Sequence, residues 1–271
     1  LDPTLIPTVL LPAAVGVIMF GLGLALTPAD FARVAQFPRA VIVGLLVQTI
    51  VLVAVAFTIT RLFNLPPLLA VGFMLLAASP GGAMANVFSH LAHGDVALNI
   101  TLTAINSVLA LAWLPLVMNW SLAHFLGAEL HVPAPTQKIM EVATVIILPA
   151  LIGMFVRYAW PALALRVAGT VRIASVLLLA LVVAISLANS GEAMLQHFGT
   201  VGLACITLNL VSLEIGIHNA AVAIFVALKV LESEVATVPA ALYGIVMIAT
   251  AGIAVTWFRR RHAHAVATVL A

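Results

Sequence analysis

Charge is nearly absent from this sequence. Nine acidic and eleven basic side chains in 271 residues make 7% charged, against 64% hydrophobic. Soluble domains carry about 25% charged residues and about half apolar ones, so that class is excluded. Cysteine is down to one, Cys205, which rules out an internal disulfide and any cysteine-based metal cluster. Gly81-Gly82 is not followed by Gly-Lys-Ser/Thr, and no dinucleotide fingerprint or Ser/His/Asp arrangement is present. The sequence therefore offers no phosphate cradle and no enzyme signature. The few cations sit in connections, so the basic balance speaks of membrane orientation and not of nucleic acid. The start, LDPTLIPTVLL, has no charged leader and no Met. No signal peptide is expected, and upstream residues are expected to be lost.

Long apolar runs are what remains. Backbone groups in lipid must be satisfied internally, so spans are helices or a closed barrel. A barrel would show alternating segments of about 10 residues. Here the runs approach the roughly 20 residues that cross a bilayer as a helix. Spans are expected at 5–26, 40–60, 67–88, 95–118, 139–160, 173–190, 198–212, 213–231 and 236–258. Connections are expected at TPADFARVAQFPR, RLFNLPP, SHLAHGD, the stretch 119–138, RYAWPALALRVAGTVR, NSGEAMLQH and KVLESE, with a tail from RRRHAH.

The pair 198–212 and 213–231 rests on charge parity, because residues 198–228 hold no Lys, Arg or turn signal. With nine spans, Arg33, Arg39, Arg157, Arg166, Arg172 and Arg259–Arg261 share the cytoplasmic side; with eight, the triple-Arg tail flips outward, against the positive-inside rule. Internal repetition sharpens the point. QFPRAVIVGLLVQTIVL (36–52) resembles QHFGTVGLACITLNLVS (196–212), aligning Gln48 with Asn209. In the first copy 38 residues separate Gln48 from Asn86; in the second, ten separate Asn209 from Asn219. A segment of roughly 28 residues is therefore expected to be missing near Ser212–Leu213, as a break in the chain or a true deletion. The copies are inverted in the membrane, the pattern of secondary transporters with discontinuous helices.

Polar residues inside the spans name the candidate sites. Glu214 lies deep in an apolar run with no cation nearby in sequence; intramembrane carboxyls are functional candidates by default. Ser79-Pro80-Gly81-Gly82 and Gly216 weaken the helix ahead of Asn86 and Asn219. Unwinding there frees backbone carbonyls that can coordinate Na⁺, while Pro/Gly kinks that pack helices closely are the plainer alternative. Gln48, Asn99 and Thr103 add oxygens, Asn99 and Thr103 sharing a helix face at i, i+4. His218 follows Glu214 by four and is a candidate proton relay or a simple hydrogen-bond donor. His90, His93 and Asp95 read as a solvated connection.

On SPGGAMANVFSHLAHGDVALNITLTAINSVL, GLGLALTPADFARVAQFPRAVIVGLLVQ and LEIGIHNAAVAI, the chain resembles the bile acid:sodium symporter family over nearly its whole length. The resemblance implies an all-α polytopic membrane protein with two inverted five-helix repeats, a panel and a core domain, and two crossing discontinuous helices. The first helix is then absent. Residues 1–120 form the first repeat, 121–138 a connector, 139–258 the second repeat and 259–271 a cytoplasmic tail. One sodium site maps onto Asn86, Asn99, Thr103 and Glu214, with Ala85 where the family usually has Ser or Thr. The other maps onto Gln48, Glu214, His218 and the carbonyls of Ile215 and Ile217, with His218 where the family typically has Gln. Hard cations prefer oxygen, so His218 is a poor Na⁺ ligand.

The expectation is a sodium-coupled organic-anion symporter of the cell membrane, not an enzyme. It uses one or two Na⁺, no organic cofactor and no nucleic acid. The anion sits by Asn86, Asn219, Pro80, Gly81 and Gly82. Coupling to protons through Glu214 and His218 is the alternative; a membrane sensor or scaffold without transport is a remote one.

Overall fold

The computed structural model describes residues 6–92, 94–127, 136–189, 191–212 and 218–270. Within them the backbone is helical almost throughout, as nonpolar residues in lipid demand. A π-turn over Ile6–Leu10 leads into α1 (Leu11–Ala25). Then come α2 (Pro28–Gln36), α3 (Pro38–Leu62), α4 (Pro67–Ala78), α5 (Ala83–Leu91) and α6 (Val96–Leu126). The second half holds α7 (Thr136–Ala159), α8 (Pro161–Asn189), α9 (Gly191–Ser212), α10 (Ala220–Lys229) and α11 (Val238–Leu270).

Six stretches of the described residues are long and apolar enough to cross a membrane: Thr8–Ala25, Pro38–Leu62, Met140–Ala159, Pro161–Ser186, Leu195–Ser212 and Val235–Trp257. α6 is a seventh if its two arms, bent by 58°, count as one. Pro115 lies just past that bend; it has no N–H for the carbonyl of Leu111, which loosens the turn. α4 and α10 have twelve and ten residues. At 1.5 Å per residue neither reaches across the ~30 Å hydrocarbon layer.

Several expected connections are helical instead. RYAWPALALRVAGTVR leaves the helix only at Trp160 and re-enters at Pro161. Proline is favoured at the first helical position, and the Ala, Leu and Arg that follow are good helix formers. Helix also covers 28–36, where TPADFARVAQFPR was expected to be loop, and 191–197, and α11 runs on through the expected tail to Leu270. The expected gap at Ser212–Leu213 lies outside the described residues.

The helices sort into two packed groups. α1, α7 and α8 form one. Its α1–α7 contact depends on small residues: a Cβ on Gly23 would fall 2.1 Å from the Ala150 carbonyl oxygen, and one on Gly153 would fall 2.3 Å from that of Phe20. Close backbone approach through small residues is how membrane helices gain contact without a hydrophobic driving force. The other group is α3–α6 with α9–α11. At its centre α4 is buried from Leu69 to Ala78 and α10 from Ala220 to Ala227. Helices buried on every side read as uniformly apolar, as both do.

Candidate functional site: a helix crossing between two cavities

Two breaks in helical structure meet in the second group. The first is Ser79–Gly82, between α4 and α5; the second is the entry to α10 at His218 and Asn219. Gly81 and His218 form an isolated antiparallel bridge. The Asn219 N–H donates to the Pro80 carbonyl at 2.9 Å, and His218 Nδ1 lies 3.0 Å from the Ser79 carbonyl. A carbonyl only accepts, so Nδ1 carries the proton and Nε2 is left with its lone pair. Gly82 is needed for contact: a Cβ there would sit 3.1 Å from the His218 carbonyl oxygen. Thus the backbone groups that Pro80 and the glycines release from α4 are paired by the other break, as burial requires.

Both half-helices point their N-termini at this crossing. Asn219 caps α10, its side chain accepting from the Val222 N–H at 3.3 Å, while Nδ2 reaches Met19 Sδ of α1 at 3.5 Å. Gly82 is the N-cap of α5 and supplies no side-chain cap. Its first N–H groups and dipole end favour negative charge nearby.

A small cavity of about 270 Å³ adjoins Gly81. It is lined by Gln48, Ala85, Asp95, Asn99 and Thr103 among others. Gln48 is buried in a π-turn, Val47–Val51, inside α3; such turns recur at functional positions. Its Nε2 lies 3.4 Å, and Thr103 Oγ1 3.0 Å, from where a Gly81 Cβ would stand. Asn99 and Thr103 come from one face of α6, and Asn99 Nδ2 has no partner among the described residues. Turning that amide over presents Oδ1 instead. The Gln48 and Asn99 amides and the Thr103 hydroxyl thus line one cavity, and their oxygens are the donor type that a hard monovalent cation takes. Ala85 adds none.

A larger cavity of about 630 Å³ opens on the other break. Gly82, Asn86, His90, His218 and Asn219 line it from the second helix group, and Arg157, Arg172 and Ser175 line it from the first. Asn86 Oδ1, Ser175 Oγ and His218 Nε2 are buried without a partner among the described residues. Buried polar atoms are normally paired, and these three belong to residues that line the cavity.

The expected site residues therefore divide. Gln48, Asn99, Thr103 and Ala85 share the small cavity; Asn86, His218, Asn219 and Gly82 share the large one; Gly81 adjoins the small one, and the Pro80 carbonyl belongs to the bridge. Glu214, Ile215 and Ile217 lie outside the described residues. Arg157, Arg172 and Ser175 were not anticipated; the helical spacing of Leu165, Ala168, Arg172, Ser175 and Leu179 was the signal. Asn209, the repeat-mate of Gln48, accepts from the Thr250 hydroxyl, and Tyr243 bonds to Asn209 and Ser212. Among the described residues no group of three or more His, Cys, Asp or Glu comes together as a metal site.

These features define a multi-pass α-helical membrane protein with two broken helices crossing between cavities. The chain belongs to the Sodium Bile acid symporter family, whose model matches residues 12–197. It is 29% identical over 182 residues to the uncharacterized sodium-dependent transporter YocS of Bacillus subtilis, covering 67% of this chain and 55% of that protein. It is 28% identical over 162 residues to the sodium-dependent organic anion transporter of Bos taurus, covering 58% and 41%. Against the probable sodium/metabolite cotransporter BASS2, chloroplastic, of Oryza sativa it is 26% identical over 279 residues, covering 95% and 65%. The chain thus spans about half the length of the curated relatives it matches. Those relatives are named as transporters, not as enzymes.

Proposed function

We propose that the chain works as a secondary active transporter that carries a small organic anion with Na⁺ by alternating access. The observation that carries this reading is the placing of two cavities of different chemistry against one crossing. The small one is lined by the Gln48 and Asn99 amides, the Thr103 hydroxyl and Asp95; the large one is mainly apolar with two arginines. Na⁺ sits with the first set, and Glu214 with the Ile215 and Ile217 carbonyls completes its shell. The anion sits in the second by Asn86, Asn219 and Gly82. Ion binding sets the geometry of Pro80 and Gly81, which is how one cavity informs the other. The α1–α7–α8 group serves as the panel against which the rest, the core, moves. Inverted repeats over 1–120 and 139–258 supply that architecture. By the positive-inside rule the chain sits in the cell membrane with residues 259–271 in the cytoplasm. A sensor or scaffold would have packed the crossing solid, and a cavity of about 630 Å³ there counts against it.

A second reading concerns stoichiometry. Gln48 and His218 line different cavities, which favours one Na⁺ over two, with Glu214 and His218 open to proton coupling. Uptake of labelled organic anions into proteoliposomes tests both. An inward Na⁺ gradient is expected to drive uptake, and Glu214→Gln to abolish it. Uptake indifferent to Na⁺ and to Glu214 sinks the first reading. Replacing Na⁺ by choline at fixed pH, against a pH jump at fixed Na⁺, separates the two couplings.

A further inference from the structure

The interface between the two helix groups is open at one end and shut at the other. On α8 the lining of the large cavity runs from Leu165 to Leu179, and a seam with α10 takes over from Val182 to Asn189. On the other side the cavity takes His218 and Asn219 at the entry to α10, while the seam takes Ile224 and Leu228. The seam holds a void of about 20 Å³, against about 630 Å³ at the open end. Its closure is partly polar. Buried Ser186 of α8 donates to the Thr237 hydroxyl at 2.5 Å, and Thr237 donates to the Glu234 carbonyl at 2.6 Å. Thr237 ends the turn Val235–Thr237, which α4 backs closely: a Cβ on Gly72 would fall 2.1 Å from the Ala236 carbonyl oxygen.

At the same end of α10 stand two copies of one pattern. KIME (138–141) opens α7, and KVLE (229–232) closes α10. Lys138 bonds to Glu232, and Lys229 pairs with Glu141 at 2.8 Å. Each copy gives its cation to the other's anion, and both pairs cross from one helix group to the other. Glu232 has a φ of +50°, a left-handed backbone that strains a residue with a side chain. The chain leaves α10 through this strained turn, and the carboxylate on it is the one that meets Lys138. Lys138 and Glu141 are i, i+3 on α7, a spacing at which they can also pair with each other. If the groups part there, α7 keeps an ion pair of its own. Opening then exchanges partners and strands little charge.

We propose that the two patterns form a partner-exchange latch between the helix groups. Crossed pairing, with the Ser186–Thr237 bond beside it, holds the seam shut while the large cavity stands open. Pairing within α7 goes with an open seam and a closed cavity. The latch rests on the transport reading only in that the two groups move against each other.

The test keeps composition and net charge. Lys138→Glu with Glu141→Lys turns both crossings into like-charge contacts and leaves α7 its own i, i+3 pair. Adding Lys229→Glu with Glu232→Lys restores both crossings with reversed sign. Each set is made in the full chain carrying Cys205→Ser, whose hydroxyl can replace the thiol bond to the Pro239 carbonyl. The reporters are single cysteines, Ile224→Cys in the seam and Ala168→Cys in the cavity. Their labelling by N-ethylmaleimide is followed in phosphatidylcholine nanodiscs at low salt, with no cargo. The α7 swap is expected to speed labelling at Ile224→Cys about tenfold, the scale of two exposed pairs, and to slow it at Ala168→Cys. The fourfold swap is expected to return both rates to those of the parent. In about 1 M choline chloride the α7 swap is expected to approach the parent, since exposed charges are then screened. Ser186→Ala leaves the charges alone and is expected to move both reporters the same way without that salt dependence. Faster labelling at both reporters means general loosening and overturns the latch. An unchanged rate in the seam, or a fourfold swap that behaves like the α7 swap, overturns it as well. These results leave Na⁺-driven uptake standing, and uptake indifferent to Na⁺ leaves the labelling pattern standing, so the two readings fail separately.

Discussion

Gln48 and His218 both adjoin Gly81 and yet line different cavities. Gln48 reaches Gly81 from α3 by its side chain, while His218 pairs with it along the backbone and is counted in the lining of the larger space. One glycine thus stands between the small cavity and the His218 backbone, with no side chain at the boundary.

Gly82→Ala puts a methyl 3.1 Å from the His218 carbonyl oxygen, against backbone that the bridge holds in place. Overpacking of this kind costs about 1–3 kcal/mol. The purified protein is expected to lose thermal stability, and cargo binding is expected to weaken with it. A variant as stable as the parent would show that the crossing is looser than its geometry.

Thr103→Val removes one cavity oxygen and keeps the shape. The stabilisation that NaCl gives over choline chloride in a thermal melt is expected to shrink, since an ion stabilises by mass action only the state it binds. Thr103→Ser is expected to retain it. The comparison separates a ligand hydroxyl from one that merely packs.

Lys229 at the end of α10 pairs with Glu141 near the start of α7 at 2.8 Å, joining the two helix groups. Both ends are partly exposed, so the pair contributes less than about 1 kcal/mol. Lys229→Gln and Glu141→Gln are each expected to lower stability slightly, and the double variant by less than the sum. Strict additivity in that cycle would mean that the two side chains do not interact.

Lys138, on the same turn of α7 as Glu141, bonds to Glu232 in the connection after α10. The hydrogen bond and charge of Lys138 hold the Glu232 carboxyl below the usual carboxylate range. A carboxyl depressed by folding stabilises above its unfolded value and loses that contribution as pH falls through its folded one. Glu232→Gln is therefore expected to match the unaltered protein in acid and to be less stable at neutral pH. Equal melting across that range, at low salt, would dismiss the link.

Much of the crossing was readable in advance because its chemistry is local. Ser79-Pro80-Gly81-Gly82 cannot continue a helix, and the break falls there. Asn99 and Thr103 share a face by spacing alone. The resemblance set Gln48 in a different sodium site from Asn99 and Thr103; the fold lines one cavity with all three, and nothing in α3 says in advance which neighbour Gln48 meets. The panel arginines were misjudged for a physical reason. Cations after an apolar run look like a connection and serve a topology argument, but helix formers carry α8 straight through them and set Arg172, though exposed, in the lining of the large cavity. The shared surroundings of Asn209, Tyr243 and Thr250 were equally hidden, because tertiary packing of α9 on α11 creates them.

The bridge at Gly81 also has a meaning in time. The Ser79 carbonyl waits for a partner 139 residues further along the chain. At synthesis rates of about 5–20 residues per second, that is a delay of roughly 7 to 28 s. Through that interval the freed carbonyls of Ser79 and Pro80 have only water or a temporary neighbour. The Ser79–Gly82 break is thus made before it can be paired, and its carbonyls meet their partners only once His218 and Asn219 have been synthesised.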